Sequence, residues 1–413
     1  MVDPKLFSRF AAGAVAALVV GLSPLVAWAA DLTGPWSATA SVGAAQIPFR
    51  LDLKVRGTSA SGSFFDGSRP TNPSTAGVFK AGHLHLVFAS YAATLDADVV
   101  GDHLDGAYVV GGKATPIHAV RGAAALTRGA AGPNIAGEWI IPFKSPKGET
   151  AWRLIVRRKA GETQAAILRI DGDTGTLNGR YSNGAFHLSH FAGERAARLD
   201  ITVQPDHTLK LALTDSSGER DLVAVRAAQA ASLGAAPTDP TQHTSVRNPA
   251  EPFRFSFPDL AGHTVSNADR RFRGKVVVID IMGSWCPNCH DEAPFLQSLY
   301  AKYHARGLEV VALDFEQADQ LANPQRLRAF VQRYGLQYTV LLAGDRHDVN
   351  ARLPQAVNLD AWPTTFFVGR DGLVKSVHVG FTSPGSGPRD IETRTAVERQ
   401  VVGLLAAGHT RSN

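Results

Sequence analysis

Apolar and polar residues alternate through residues 31 to about 228. In Phe49-Arg50-Leu51-Asp52-Leu53-Lys54-Val55 every second side chain is apolar, and Leu209, Leu211 and Leu213 repeat the pattern. A period of two puts the apolar set on one face of an antiparallel strand. Asp66-Gly67, Asp171-Gly172 and Asn183-Gly184 punctuate these runs as hairpin turns do. The pattern also recurs: Gly34-Pro35-Trp36 returns as Gly137-Glu138-Trp139, and Phe49-Arg50-Leu51 as Trp152-Arg153-Leu154, each 103 positions on. Asp66-Gly67 against Asp171-Gly172, Gly82 against Gly184, and Leu95-Asp96 against Leu199-Asp200 keep the offset between 102 and 105. The region reads as a duplicated all-β unit, residues 31–128 and 129–228. It predicts two small antiparallel sandwiches or barrels, or one larger one built from both halves.

Around Ala227 to Pro252 the periodicity stops in favour of Ala, Pro, Thr, Gln and Asn, so 229–250 is expected to be a linker. From 251 to 408 the pattern changes type. Lys275–Ile281, Leu308–Leu313, Thr364–Val368 and Leu373–Val379 are short apolar runs of buried strands. Between them Leu327, Phe330, Val331 and Tyr334 recur at helical spacing behind Asn323-Pro324, read as cap and first helical residue. Alternating strands and helices predict an α/β domain around a buried sheet.

Composition narrows this picture. With 413 residues and 44% apolar side chains, the chain has ample material for several cores. The 42 basic and 37 acidic side chains are interspersed, which gives no sign of a nucleic-acid partner. Lys5 and Arg9 precede an uncharged Ala/Val/Leu-rich run that ends in Ala27-Trp28-Ala29. Residues 1–30 are therefore expected to be a secretory signal peptide, or alternatively an uncleaved anchor, with the remainder in a bacterial periplasm.

Only two cysteines occur, Cys286 and Cys289, both within Trp285-Cys286-Pro287-Asn288-Cys289. They follow a strand and open a helix whose apolar face includes Phe295, Leu296 and Leu299. A helix N-terminus favours a thiolate on Cys286, and Pro287 fits the first turn because its missing N–H is not needed there. This spacing lets a disulfide close and reopen within one turn, so Cys286 can attack a substrate disulfide and Cys289 can resolve the mixed intermediate, and the pair is expected to serve as a redox-active disulfide.

The run Val276-Val277-Val278-Ile279-Asp280-Ile281-Met282-Gly283-Ser284-Trp285-Cys286-Pro287-Asn288-Cys289, continued by Glu292-Ala293-Pro294-Phe295, resembles the thioredoxin superfamily, most closely its TlpA/ResA-like thiol-disulfide oxidoreductases. Trp362-Pro363-Thr364-Thr365-Phe366 followed by Asp371-Gly372 is similar to that family's cis-proline strand and next turn. The resemblance covers roughly residues 250–408 and implies a thioredoxin fold. It implies Cys286 as the attacking thiol, Cys289 as the buried resolving one, and a cis bond before Pro363. The Trp362 backbone would then lie beside the disulfide to pair with an extended substrate segment. The bulk of Trp362 departs from the Thr or Val common in relatives. Asp280 matches the position where thioredoxin carries a buried aspartate that assists deprotonation of the second cysteine, although TlpA-like chains often have Asn there, and Glu292 matches the helix glutamate near the active site of ResA-like proteins. Acid/base roles are expected of both, with a structural hydrogen-bond acceptor and a solvated helix carboxylate as the respective rival readings. Trp285 is expected to pack at the active-site surface. Trp285, Pro287, Trp362 and Pro363 form the expected substrate-binding set, and Pro294 is expected to kink the helix.

His290 beside the cysteines invites a metal site, but no fourth ligand is apparent, and neither metal nor cofactor is expected. His83, His85, His187 and His190 are read as hydrogen-bonded or solvated strand histidines. The expected activity is reduction of disulfides in partner proteins, with recharging by a membrane electron donor. The direction of electron flow depends on a reduction potential that the motif does not set. By elimination, the β-region serves partner binding, positioning or dimerisation. The rival reading is a non-catalytic periplasmic binding protein with a redox-responsive thioredoxin-like domain.

Overall fold

The computed structural model describes residues 32–122, 132–159 and 161–407. The expected signal peptide and the boundary near 128 lie outside them. Among the described residues no helix is long and apolar enough to cross a membrane.

The alternating segments form two separate antiparallel meanders, each a sheet of 9 strands. In the first, the strands run from Gly34–Val42 to Lys113–Arg121. The ring closes where Ala45–Arg56 pairs with both Gly34–Val42 and Ser59–Asp66, leaving Arg69–Pro73 as a short flap. In the second, strands from Gly137–Pro142 to Gly218–Ala224 close through reciprocal Ile140–Val225 backbone bonds of 2.8 Å, with Gly172–Asp173 as the extra pair. A ring of this size is just wide enough for side chains to fill. Leu51, Leu53, Leu84, Leu86 and Leu95 fill one barrel; Leu154, Leu188, Leu199, Leu211 and Leu213 fill the other. Arg50 and Lys54 between the inward residues face solvent, as the period of two requires. Asn183 and Gly184 both take positive φ, the two-residue turn that matches strand twist.

Several details recur between the barrels. The indole N–H of Trp36 donates to Leu32 O at 3.1 Å, and that of Trp139 to Ile135 O at 2.9 Å. His85 bonds Asp96 across neighbouring strands at 2.6 Å, as His187 bonds Asp200 at 2.7 Å. His83 bonds Asp98, and the buried His190 bonds Thr176 O. All four strand histidines thus have hydrogen-bond partners.

The segment read as a linker is laid down against the C-terminal domain. It contains a short helix, Ala227–Ser232, and Ser245–Val246 pairs with Ala356–Val357. Pro240 O accepts from Val379 N at 3.0 Å, and His243 bonds Asp360 at 2.7 Å.

The C-terminal domain is built on a sheet of 5 strands with Val276–Met282 at its centre. That strand runs parallel to Leu308–Glu316 and antiparallel to Thr364–Val368, whose other neighbour is Val374–Val379; Thr339–Asp345 lies beyond Leu308–Glu316. Every residue of Val276–Met282 is buried. Val277, Ile279 and Ile281 face one core, while Val276, Val278 and Met282 face another shared with helix Pro287–Tyr303 and helix Pro388–Ala407. This two-sided burial explains the unbroken apolar run. Pro294 lies inside a single helix, and the helix Gln325–Tyr334 is capped by Pro324, one position later than Asn323.

The sheet's carboxyl end carries a buried polar knot that fixes the loop leading into the cysteines. Arg326 pairs with Glu316, donates to Ser284 Oγ at 3.0 Å and to Gln317 Oε1 at 2.7 Å, and Ser284 Oγ bonds Glu316 in turn. Asp314 Oδ1 accepts from Ser284 N at 2.9 Å, and the Trp285 indole donates to Phe315 O at 2.9 Å. Arg326 and Glu316 are 2% and 0% exposed, so removing one partner strands a charge in the interior. Arg326→Ala is expected to lower unfolding stability by about 3–5 kcal/mol, far beyond the effect of an exposed arginine such as Arg254→Ala, when the two are compared by denaturant titration.

Candidate active site

Cys286 and Cys289 are both free thiols, 4% and 1% exposed. The strand Val276–Met282 ends in Gly283-Ser284-Trp285, and Cys286 then occupies the N-cap of helix Pro287–Tyr303 with Pro287 in the first turn. Cys289 follows one turn into the helix, facing the sheet among Val278, Met282 and Leu296. The peptide bond between Trp362 and Pro363 is cis, and Cys286 Sγ donates to Trp362 O at 3.7 Å. The Trp285 and Trp362 rings meet edge to face at 5.5 Å, so the half-buried indoles flank the thiol. The sequence-predicted set of Trp285, Cys286, Pro287, Cys289, Trp362 and Pro363 therefore converges on one spot.

The two carboxyl groups lie behind the thiols. Strand parity sets Asp280 on the face of Val278 and Met282, toward the active-site helix, and its register partner on the next strand is Thr365. Thr365 Oγ1 donates to Glu292 Oε1 at 2.9 Å, which brings strand and helix carboxylates together. Glu292 is 0% exposed. Burial pushes its carboxyl up to about 8, with the charge of Cys286 adding to the rise and the Thr365 hydroxyl opposing it. Burial also lifts Asp280 well above the carboxylate range, reinforced by the charge of Glu292. Cys289 is driven well above a normal thiol by burial, then by its contact with Cys286 and the charges of Cys286 and Asp280. Asp280 Oδ1, Glu292 Oε2 and the Tyr338 hydroxyl are buried without a hydrogen-bond partner. Tyr338 packs in the same core as Cys289, and burial first, then the charges of Asp280, Glu292 and Cys289, disfavour its ionisation. Such an arrangement keeps protons on several neighbouring groups whose affinities interlock.

His290 has both ring nitrogens engaged, by the Tyr334 hydroxyl at 2.9 Å and Ser284 O at 2.8 Å, and stacks on Tyr91 of the first barrel at 4.0 Å. Burial holds it well below its usual titration range. A histidine so occupied is a packing and hydrogen-bonding element, and among the described residues no His/Cys/Asp/Glu group is arranged to hold a metal ion.

The second barrel reaches the site directly. Asn288, between the cysteines, donates through Nδ2 to Asp171 O at 2.7 Å, and its Oδ1 accepts from Arg195. Arg195 also pairs with Asp291 at 2.8 Å, and Asp171 Oδ1 accepts the backbone N–H of Trp362 at 3.1 Å. Sequence reasoning missed Ser284, Asp314, Glu316, Arg326, Thr365, Tyr338, Asp171 and Arg195. The first four had a readable signal, since acidic residues at the end of an apolar parallel strand need a buried partner. Asp171 read only as a turn residue.

The AhpC/TSA family profile matches residues 246–377. The thiol-disulfide oxidoreductase ResA of Geobacillus kaustophilus is 29% identical over 154 residues, which are 37% of this chain and 81% of the relative. The thioredoxin-like protein YneN of Bacillus subtilis is 32% identical over 126 residues, 30% of this chain and 68% of the relative. A crystal structure of a putative thiol:disulfide interchange protein DsbE from Chlorobium tepidum aligns at 27% identity over 39% of this chain and 99% of that one, with a TM-score of 0.32. Through its C-terminal domain, the chain belongs to the thioredoxin-like family of thiol-disulfide oxidoreductases.

Proposed function

We propose that this is an exported, periplasmic oxidoreductase that reduces disulfides of partner proteins through Cys286 and Cys289. The observation that carries this reading is the pair's position between the cis-proline loop on one side and two buried, proton-holding carboxyl groups on the other. In the proposed cycle the Cys286 thiolate, at the positive end of the helix dipole, attacks a substrate sulfur, and the first substrate thiolate leaves. A mixed disulfide remains on Cys286. Cys289 then loses its proton to the Asp280–Glu292 pair and attacks Cys286 Sγ, releasing the second substrate thiolate and closing the Cys286–Cys289 disulfide. Two electrons pass to the substrate, and a membrane electron donor would supply two more, with two protons, to reduce the Cys286–Cys289 disulfide back to the dithiol.

Trp362, Pro363, Trp285 and Pro287 form the proposed surface for an extended substrate segment, with the Trp362 backbone as its pairing edge. The β-region is proposed as two copies of one ancestral unit, supported by the matched indole and His–Asp bonds. Its proposed role is positioning, since it contacts the active-site helix through Asn288 and His290.

Cys289→Ala is expected to halt turnover after the first attack and to accumulate mixed disulfides through Cys286, which mass spectrometry of trapped adducts would identify. No adducts in the native compartment would count against exchange with proteins. The carboxyl groups predict a pH signature. Glu292 acts as a base only when ionised, so resolution by Cys289 should accelerate as pH rises toward about 8 and then level off. Glu292→Gln should remove that limb and slow resolution by about 10²-fold, read by stopped-flow decay of a preformed mixed disulfide. Stability carries the opposite sign. Between the ordinary glutamate value and about 8 the folded state holds a proton that the unfolded chain has lost, so Glu292 weakens the fold as pH rises across that window. Denaturation at pH 5 and pH 9 should show a smaller loss in Glu292→Gln than in the unmodified protein.

A further inference from the structure

The second barrel ends its Glu162–Arg169 strand in a loop that crosses to the C-terminal domain, and the loop's contacts fall on substrate-facing groups. Asp171 Oδ1 accepts the Trp362 N–H, Asp171 O accepts from Asn288 Nδ2, and Phe381 N donates to Asp171 O at 3.3 Å. Gly172 forms a parallel bridge with Phe381, and Gly380 N bonds Pro363 O at 2.8 Å. The loop therefore pairs with Phe381, next to the residue that bonds Pro363, and reaches the cis-proline segment itself through the Asp171 side chain. Its approach is close enough to demand glycine: at Gly172, with φ of +123°, a Cβ would stand 1.9 Å from Phe381 O and 2.9 Å from the Asn288 side chain.

The anchorage on the two sides of the loop is unequal. Asp173, immediately after Gly172, is buried and accepts from Ser383 N at 2.8 Å, Ser383 Oγ at 3.0 Å and Gly175 N at 2.9 Å. Asp171 is only half-buried and is held from its own barrel by Lys147 at 2.5 Å. The carboxylate that touches Trp362 is thus the more solvent-accessible of the two, beside the buried Asp173.

We propose that Asp171 is a specificity-determining residue: it occupies the backbone pairing position at Trp362 and makes extended protein disulfides compete with the protein's own loop for access to Cys286. The proposal rests on the reading that Trp362 is the substrate-pairing edge. A small disulfide needs only the sulfur of Cys286 and no backbone partner, so it escapes this competition. A protein segment must displace the Asp171 carboxylate from the Trp362 N–H before it can pair.

The test uses the full chain as the unmodified protein, Asp171→Ala and Gly172→Ala. The first removes the competing acceptor; the second forces the loop back through the clash at Phe381. The measured quantity is the ratio of kcat/KM for a disulfide-bonded polypeptide, reduced insulin chains being the product, to kcat/KM for bis(2-hydroxyethyl) disulfide. Loss of one charge-assisted hydrogen bond from the competitor should raise that ratio about tenfold in both variants, and in Asp171→Ala, which keeps the backbone acceptor of Asn288, the small-disulfide rate should change less than about twofold. An unchanged or lower ratio in Asp171→Ala overturns the proposal, whichever way Gly172→Ala moves. If the unmodified protein reduces neither substrate, the oxidoreductase reading itself fails. The covering role is then decided by Cys286 alkylation: a higher ratio of bulky polyethylene-glycol maleimide to iodoacetamide labelling in the variants supports it, and an equal ratio overturns it.

Discussion

Dehydration of the central strand governs the chemistry of this protein. Val276–Met282 has helices or loops on both faces, so the one carboxylate in it, Asp280, has no route to solvent. The same strand delivers the chain to the helix that begins at Cys286, which places the thiols where that carboxylate is already deprived of water. Glu292 joins from the helix and shares Thr365 with the strand. Charge on any one of these groups is costly while the others are charged, so protons are held in common rather than assigned to single residues. The raised proton affinities of Asp280, Glu292 and Cys289 thereby share one first cause, the burial of the strand and of the helix packed on it.

The barrels extend this control outward. Their cores are filled by their own leucines, and their surfaces carry the contacts to the C-terminal domain: Tyr91 on His290, Glu138 on Arg389, Asp173 on Ser383, and Asp171 on Trp362. Most of these are polar and directional, as suits a surface that fixes orientation more than it adds apolar burial. The catalytic helix is consequently held from three directions: by the Arg326–Glu316 knot at the strand ends, by the cis-proline loop, and by the second barrel.

Legibility in the sequence followed the range of the interaction. The alternation at Phe49–Val55 and Leu209–Leu213 announced half-buried strands because period two is local, and Cys286-Pro287-Asn288-Cys289 announced a dithiol because four consecutive residues carry it. Asp280 and Glu292 were placed by resemblance, and the structure adds what joins them, the Thr365 hydroxyl, which lies 73 positions from Glu292. Contacts such as Asp171 with Trp362, 191 positions apart, leave no trace in local pattern. The segment 229–250 lacks periodicity, and it is held by scattered bonds to Asp360 and Val379 that no periodic pattern encodes.

Asn288 stands between the two cysteines and at the same time holds the second barrel. In an isolated dithiol domain the residues between the sulfurs are free to change, and each change shifts the relative stability of thiolate and disulfide. Here a substitution at Asn288 would also remove the bonds it makes to Asp171 O and to Arg195. Redox poise and domain docking therefore share one side chain. Retuning the electron affinity of this site through that position also alters how the barrel is docked.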